Sequence, residues 1–154
     1  KISSTRIRKA LNEGNIELAN KMLGKRYEIR GKVVKGNQRG ATIGFPTANI
    51  EVGNKDMLIP PRGVYFVEVD VADKHYFGMM NIGFRPTFNN TSELIIEVHI
   101  FYFNENIYDK PITVRFIDRL RDEKKFNSVD ELKQQLQLDK QECFKRIDTL
   151  PVFR

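Results

Sequence analysis

Residues 63–71, Gly63-Val64-Tyr65-Phe66-Val67-Glu68-Val69-Asp70-Val71, form the clearest β-strand pattern in the chain, because β-branched and aromatic residues dominate them. The polar turn Ala72-Asp73-Lys74 leads directly into a second predicted strand over residues 75–82. Two strands joined by so short a turn run antiparallel. This hairpin predicts an antiparallel sheet and argues against parallel strands separated by helices.

Further strands are predicted on both sides of this hairpin. Residues 27–33 alternate between apolar or small residues and charged ones, which is the period of a half-buried strand. Residues 83–91 read as a loop, residues 93–103 as a long strand and residues 112–120 as the last strand. Because no helical pattern separates these strands, the sequence predicts an antiparallel sheet or a closed barrel.

Helices are predicted only at the two ends of the chain. Residues 3–23 read as two short helices, with Ser3 among the N-cap candidates of the first, Asn15 as the N-cap of the second and Gly24 closing it. Ser128 and Glu131 form a capping-box pattern that starts a C-terminal helix. The predicted apolar face of that helix comprises Val129, Leu132, Leu136, Cys143, Ile147 and Leu150.

Composition indicates one globular domain with an anionic partner. The chain has 154 residues, 40% of them hydrophobic and 30% charged, and no stretch is long and apolar enough to cross a membrane. The single cysteine, Cys143, excludes an internal disulfide and favours a reducing, cytoplasmic location. A net charge of +6 favours a nucleotide, a phosphate or a nucleic acid as partner. The chain does not begin with methionine, so we expect a piece of a longer protein.

Residues 36–49, G-N-Q-R-G-A-T-I-G-F-P-T-A-N, form a glycine-rich basic stretch that ends in a rigid polar tetrapeptide. Lys35 and Arg39 add positive charge, while Thr47 and Asn49 offer neutral oxygens. A flexible, amide-rich loop of this kind suits a polyphosphate with a hard cation, and Mg²⁺ would take most of its ligands from the substrate phosphates. The alternative is a glycine-rich surface loop ending in a turn. The stretch matches neither a Walker A loop nor G-x-G-x-x-G.

Two charged residues are candidates for chemistry. Glu97 lies in mid-strand between apolar residues, where glutamate is disfavoured, so it is a candidate general base; the alternative is an exposed strand glutamate paired to a basic neighbour. His99 could share its site, although a lone histidine is more often structural. Arg121 is predicted at a strand end, on a mobile linker and near a helix N-terminus, where it could hold a phosphate.

A set of motifs, in the same order along the chain, resembles the riboflavin kinase module of bacterial bifunctional FAD synthetases. They are Gly44-Phe45-Pro46-Thr47-Ala48-Asn49, Gly63-Val64-Tyr65, Asn81-Ile82-Gly83 with Arg85-Pro86-Thr87-Phe88, Glu97-Val98-His99 and Leu120-Arg121-Asp122-Glu123-Lys124-Lys125-Phe126. Residues 1–8 resemble the closing motif of the FMN adenylyltransferase module. The resemblance implies a mainly β fold, a six-stranded antiparallel Greek-key barrel with a C-terminal helix. It also implies a helical remnant of the preceding module at residues 1–24 and a kinase domain at residues 25–154.

The implied reaction transfers the γ-phosphate of ATP to the ribityl 5′-hydroxyl of riboflavin and gives FMN and ADP. In this scheme Thr47 and Asn49 hold Mg²⁺ and Glu97 takes the hydroxyl proton. The residues implied to bind ATP are Lys35, Gly36, Arg39, Gly40, Thr42, Gly44, Pro46, Thr47 and Asn49, and those implied to bind flavin are Asn81, Arg85, Arg121 and Phe126. This chain is expected to lack FMN adenylyltransferase activity. The adenylyltransferase module is expected to be its partner in the full-length protein. Neither nucleic acid nor a membrane is expected as a partner.

Two other functions fit parts of the sequence. A small OB-like barrel that binds nucleic acid would also have a high pI, many aromatic residues and antiparallel strands. Against it, the aromatic residues alternate within strands as core residues do, and the basic residues are not clustered on one strand face. The other alternative is a regulatory domain that binds flavin or nucleotide without turnover.

Overall fold

The computed structural model describes residues 4–36 and 39–150. Its elements are α1 (Ser4–Asn12), α2 (Ile16–Leu23), β1 (Glu28–Val34), a 3₁₀ helix (Arg39–Ile43), β2 (Ala48–Val52), β3 (Gly63–Val71), β4 (Lys74–Pro86), β5 (Ser92–Ile100), β6 (Pro111–Arg121) and α3 (Val129–Ile147). Among these described residues, no helix is both long enough and apolar enough to span a bilayer.

The strands close into a barrel in the order β1-β2-β5-β4-β3-β6, and every neighbouring pair is antiparallel. Strands β3, β4 and β5 form a meander, and β6 returns to lie beside β3, which is a Greek-key connection. The prediction of a six-stranded antiparallel barrel with a C-terminal helix is therefore confirmed.

The hairpin of β3 and β4, from which the antiparallel sheet was predicted, turns at Ala72 and Asp73, whose φ angles are 52° and 61°. Two central residues with positive φ form the tight turn that matches the twist of paired strands. The loop predicted to begin at Gly83 is wrong over residues 83–86, because β4 continues to Pro86 and pairs with β5 along that length. Strand β5 is in turn shorter than predicted and ends at Ile100; Tyr102 has a φ of 57° and lies in the following turn.

The barrel interior is filled by alternate residues of every strand, including Ile29, Tyr65, Met80, Val98 and Phe116. The two N-terminal helices belong to the same apolar cluster through Ala10, Leu11, Ile16 and Ala19, all of which are buried. Asn20 joins α2 to the barrel, since its Nδ2 donates to the Phe116 carbonyl at 2.8 Å and its Oδ1 accepts from the Tyr27 N–H at 2.8 Å. Helices α1 and α2 thus pack against the barrel.

A second apolar cluster lies outside the barrel, where α3 covers Phe66, Met79 and Phe101. Helix α3 begins as predicted: the Ser128 hydroxyl accepts from the Glu131 N–H at 3.2 Å. Val129 was wrongly assigned to the apolar face, because it lies in the first turn and is 61% exposed. Cys143 is fully buried in this cluster, and burial raises the pKa of its thiol to about 12.

Candidate functional site

The residues of the site lie in one row across the outer surface of the barrel, and all but one of them are polar. The row follows directly opposed partners on neighbouring strands: Asn49 of β2, Glu97 of β5, Asn81 of β4, Val64 of β3 and Arg121 of β6. Directly opposed residues of antiparallel strands point to the same face. The barrel therefore brings together residues that are up to 72 positions apart, from 49 to 121, in the sequence.

Glu97 is the centre of this row. Its carboxylate accepts a hydrogen bond from the Thr47 hydroxyl, with 3.2 Å between Oγ1 and Oε2. Thr47 lies one residue before β2 and Asn49 lies within it, so the two side chains emerge on the same side of the strand. One carboxylate, one hydroxyl and one amide oxygen thus converge at the junction of β2 and β5.

Two cavities meet at Thr47. The first has a volume of about 390 Å³ and is lined by Lys35, Gly36, Asn49 and Tyr108, among others. The second has a volume of about 290 Å³ and lies between the barrel and α3. Thr47 lines both cavities, while Glu97, Asn81, Arg121 and Phe126 line the second. A group bound in one cavity can therefore reach a group bound in the other beside Thr47 and Glu97.

The wall of the first cavity includes a lysine, a glutamate and several amide side chains. The Lys35 ammonium lies 5.8 Å from the centre of the exposed Tyr108 ring. Residues 104–106, in the connection that follows β5, line the cavity together with Tyr108. A Cβ at position 36 would clash with the side-chain amide of Asn49, so any residue other than glycine would displace that amide from its present position.

The glycine-rich stretch is more ordered than predicted. Residues 39–43 form a 3₁₀ helix, and the Phe45 N–H donates to the Gly40 carbonyl at 2.7 Å, so this part is not a flexible loop. Gly40 lines the second cavity instead of the first. Thr42 is exposed in the 3₁₀ helix, and Gly44 follows that helix with a φ of 87°; neither residue lines either of these two cavities. The side chain of Arg39, which was predicted to contact ATP, lies outside the described residues, as do residues 37–38.

Arg121 does not lie on a mobile linker, and that prediction is wrong. It is the last residue of β6, and its side chain is 15% exposed. Its guanidinium donates to both oxygens of the Asp139 carboxylate, from Nε at 2.9 and 3.1 Å and from Nη2 at 2.7 Å. Asp139 is buried on α3 and also accepts from the Gln135 amide at 2.9 Å. A residue at the wall of the second cavity is thus fixed by an ion pair with α3.

The other three predicted flavin-binding residues, Asn81, Arg85 and Phe126, are not all at the cavity. Phe126 is half-buried and lines the second cavity. Arg85 lies four residues beyond Asn81 on β4, lines neither cavity, and forms an exposed ion pair with Glu93 at 3.3 Å. Asn81 faces the cavity and its Nδ2 donates to Glu123 at 3.4 Å. The structure thus brings Asn81 and Phe126 to the cavity and leaves Arg85 outside it.

Several residues in the wall of the second cavity were not among those implied to bind a substrate. His99 follows Glu97 on the same face of β5 and lines the second cavity, as do Glu123 and Lys124. Phe45 and Leu136 form apolar parts of that wall. Because alternate residues of a strand share a face, the sequence pattern of β5 could place His99 on the same face as Glu97. No feature of the sequence indicates that α3 covers this side of the barrel.

The donor set beside Thr47 fits a hard divalent cation. The hydroxyl of Thr47 and the amide oxygen of Asn49 are neutral oxygen ligands of the kind that Mg²⁺ accepts when phosphates supply the rest. Among the described residues, no group of three or more His, Cys, Asp or Glu side chains gathers into a metal site. A cation here would therefore depend on the substrate for most of its ligands.

Comparison with known proteins identifies the family. The family model described as Flavokinase, riboflavin kinase, matches residues 23–147. The chain belongs to the riboflavin kinase family. The resemblance read from the motifs is thus confirmed.

Relatives of this riboflavin kinase family member include two bacterial proteins named bifunctional riboflavin kinase/FMN adenylyltransferase. The protein of Bacillus subtilis is 45% identical over 152 residues, which are 97% of this chain and 48% of that protein. The protein of Listeria monocytogenes is 46% identical over 142 residues, which are 92% of this chain and 45% of that protein. The chain spans about half the length of the curated relatives it matches.

Two solved structures share the fold. A Streptococcus pneumoniae structure described as a macrolide-efflux protein superposes with a TM-score of 0.85 and 45% identity, over 92% of this chain and 46% of that one. Riboflavin kinase from Trypanosoma brucei superposes with a TM-score of 0.60 and 24% identity, over 79% of this chain and 76% of that one. At that identity the second likeness concerns the fold alone.

Proposed function

We propose that this chain transfers the γ-phosphate of ATP to the ribityl 5′-hydroxyl of riboflavin, giving FMN and ADP. One observation carries the proposal beyond family membership: two cavities share Thr47 as a wall, and Glu97 lies within hydrogen-bond reach of it. A two-substrate transfer needs the acceptor hydroxyl and the phosphate to meet at one point while each substrate keeps its own pocket.

The first cavity suits the nucleotide. Lys35 provides positive charge in its wall, and the glycine at position 36 leaves the backbone and the Asn49 amide accessible to phosphate oxygens. Thr47 and Asn49 would hold Mg²⁺ together with those oxygens, and the ion would neutralise charge on the transferring phosphate.

The second cavity suits the flavin. Its wall combines apolar side chains, including Phe45, Met79 and Leu136, with the polar groups of Asn81 and Arg121. A flat isoalloxazine ring needs apolar contact together with a few directed hydrogen bonds, which is the usual composition of a ligand pocket. The ribityl chain would then extend toward Glu97.

In the proposed reaction, the 5′-oxygen of riboflavin forms a bond to the γ-phosphorus while the bond from that phosphorus to the bridging oxygen of ADP breaks. The hydroxyl proton passes to the Glu97 carboxylate. The transition state of phosphoryl transfer is loose, so positioning and charge neutralisation contribute more than proton removal. A positioned base still contributes typically about 10²–10⁴-fold.

The test is incubation of the purified chain with riboflavin, ATP and Mg²⁺, followed by chromatography for FMN and ADP. Glu97→Gln keeps the side-chain shape and removes the base, so we expect turnover to fall by about 10²–10⁴-fold. Glu93→Gln is the matched control, since Glu93 is an exposed glutamate of the same strand, paired to Arg85. Absence of FMN from the unaltered chain contradicts the activity, and normal turnover of Glu97→Gln contradicts the role of Glu97.

The metal assignment has its own test. Thr47→Ala and Asn49→Ala should each weaken use of Mg·ATP far more than riboflavin binding, because both are proposed Mg²⁺ ligands: Asn49 lines the first cavity and Thr47 lies where the two cavities meet. Thr87→Ala is the control, since that hydroxyl lies in the β4–β5 connection and bonds to Thr91. Equal loss of riboflavin affinity in both site variants, with ATP affinity intact, contradicts this assignment.

We further propose that the chain makes FMN unaided and makes no FAD. FMN adenylylation would need a phosphate-cradling loop on a parallel α/β scaffold. The described residues form an antiparallel barrel. In the full-length protein an adenylyltransferase module would precede this one, and both would work in the cytoplasm without nucleic acid as a partner. Detection of FAD after incubation of the chain with FMN, ATP and Mg²⁺ contradicts the first point.

A further inference from the structure

His99 holds the segment that carries Thr47. It lies two residues after Glu97 on the same face of β5, and it is 9% exposed. Its Nδ1 lies 2.7 Å from the carbonyl oxygen of Pro46, the residue directly before Thr47. Two side chains of β5 therefore contact two consecutive residues of the segment that enters β2, one through Pro46 and one through Thr47.

The segment needs this support because the backbone ladder stops there. Strands β2 and β5 pair at Asn49 with Glu97 and at Ala48 with Val98, and the pairing goes no further. Proline has no N–H, so Pro46 cannot donate to a longer ladder. The His99 side chain supplies a bond between the two strands just beyond the last backbone pair.

The imidazole is held in one tautomer and one orientation. A carbonyl oxygen can only accept, so the Nδ1 of His99 carries the proton. Burial lowers the pKa of His99, which keeps the ring neutral. Phe45 and Phe101 pack edge-on against the ring, with centroids at 5.2 Å and 5.7 Å. The donor to Pro46 is therefore preorganised.

We infer that His99 is a positioning residue, which fixes the Pro46 carbonyl so that the Thr47 hydroxyl stays against Glu97 at the junction of the two cavities. This inference rests on the proposed function. It assigns His99 no proton transfer to or from the substrate.

The test compares three substitutions at His99 that differ in whether they supply a hydrogen-bond donor and in where that donor lies. His99→Asn places an N–H near the position of Nδ1, His99→Gln places it about one bond further out, and His99→Leu has no donor. The readouts are kcat, the KM values for riboflavin and ATP, the affinity for Mg·ADP by titration calorimetry, and the melting temperature. His75→Asn is the control, because His75 lies between Glu68 and Asp70 and lines neither cavity.

We expect His99→Leu to lose about 10–100-fold in kcat, the cost of misplacing a catalytic group by roughly 1 Å, with little change in the KM for riboflavin. His99→Asn should recover kcat to within about threefold of the unaltered chain and keep its Mg·ADP affinity. Recovery by the variant that restores the donor separates positioning from simple packing, which all three substitutions disturb.

The inference is overturned if the Asn and Leu variants have equal kcat, whether both are normal or both are impaired. If the Leu variant does not fold, the Asn and Gln variants decide, and a Gln variant at least as active as Asn overturns it. If the unaltered chain makes no FMN, the proposed function fails; the Mg·ADP titration then still tests His99, because equal affinities for the Asn and Leu variants overturn the inference.

Discussion

Replacement of Arg121 by alanine should destabilise the domain strongly. The Asp139 carboxylate is only 5% exposed and receives three of its four observed N–H contacts from Arg121, the fourth coming from Gln135. Removing Arg121 leaves a buried carboxylate without its charge partner, which costs about 3–5 kcal/mol. For a domain of 154 residues, each kcal/mol lowers the melting temperature by about 2–4 °C, so the expected loss is about 6–20 °C.

The measurement is urea and thermal unfolding of the unaltered chain and of Arg121→Ala. Arg85→Ala is the matched control, because the ion pair of Arg85 with Glu93 is about half exposed on both sides, at 48% and 55%, and such pairs contribute about 0–1 kcal/mol. The double variant Arg121→Met/Asp139→Leu should recover most of the lost stability, since it leaves no unpaired charge. A loss for Arg121→Ala no larger than that of Arg85→Ala would refute the reasoning.

Three further results are expected. Gly36→Ala should raise the KM for ATP by about tenfold, the equivalent of one hydrogen bond, because its Cβ displaces the Asn49 amide, and an unchanged KM would contradict this. Cys143 should resist a thiol reagent in the folded chain and react fully in urea, because burial raises its pKa to about 12; equal reaction in both states would contradict its burial. The hydrogen bond from Arg115 lowers the pKa of Asp70 below 3.8, so Asp70 contributes stability above that pH and loses it as the pH falls through the lowered pKa. The difference in unfolding free energy between the unaltered chain and Asp70→Asn should therefore shrink from pH 7 to pH 2.5, and a constant difference would count against it.

The strand pattern predicted an antiparallel sheet or a closed barrel because the strands carry their own local signals, whereas the choice of a six-stranded barrel came from the family resemblance. The run of β-branched and aromatic residues in β3 and the short turn at Ala72 and Asp73 depend only on local chemistry. The predicted end of β4 was wrong because pairing there depends on a distant strand and not on local residues. Gly83 and Pro86 indicate a loop locally, but β5 supplies a pairing partner along that whole length, and tertiary pairing outweighs local propensity.

The candidate site was predicted in part. Glu97 could be selected because glutamate is disfavoured in mid-strand, and Thr47 and Asn49 because they offer neutral oxygens at the end of the glycine-rich stretch. The structure places the three together. Arg121 was assigned to a linker, since sequence spacing cannot show that an aspartate of α3 lies opposite the end of β6. The separation of the two cavities likewise depends on contacts between elements far apart in the chain.

Substitution of a side chain and a change of strand length have different effects on the row of opposed residues that crosses the barrel. A substitution at Asn81 alters what the surface binds but leaves the ladder intact, because the ladder is made by the backbone. Deleting one residue within β5 would shift the pairing by one position and turn Ile96 or Val98 outward in place of Glu97. New substrate preferences can therefore arise by point substitution on the strands, whereas changes of length are confined to the connections between them.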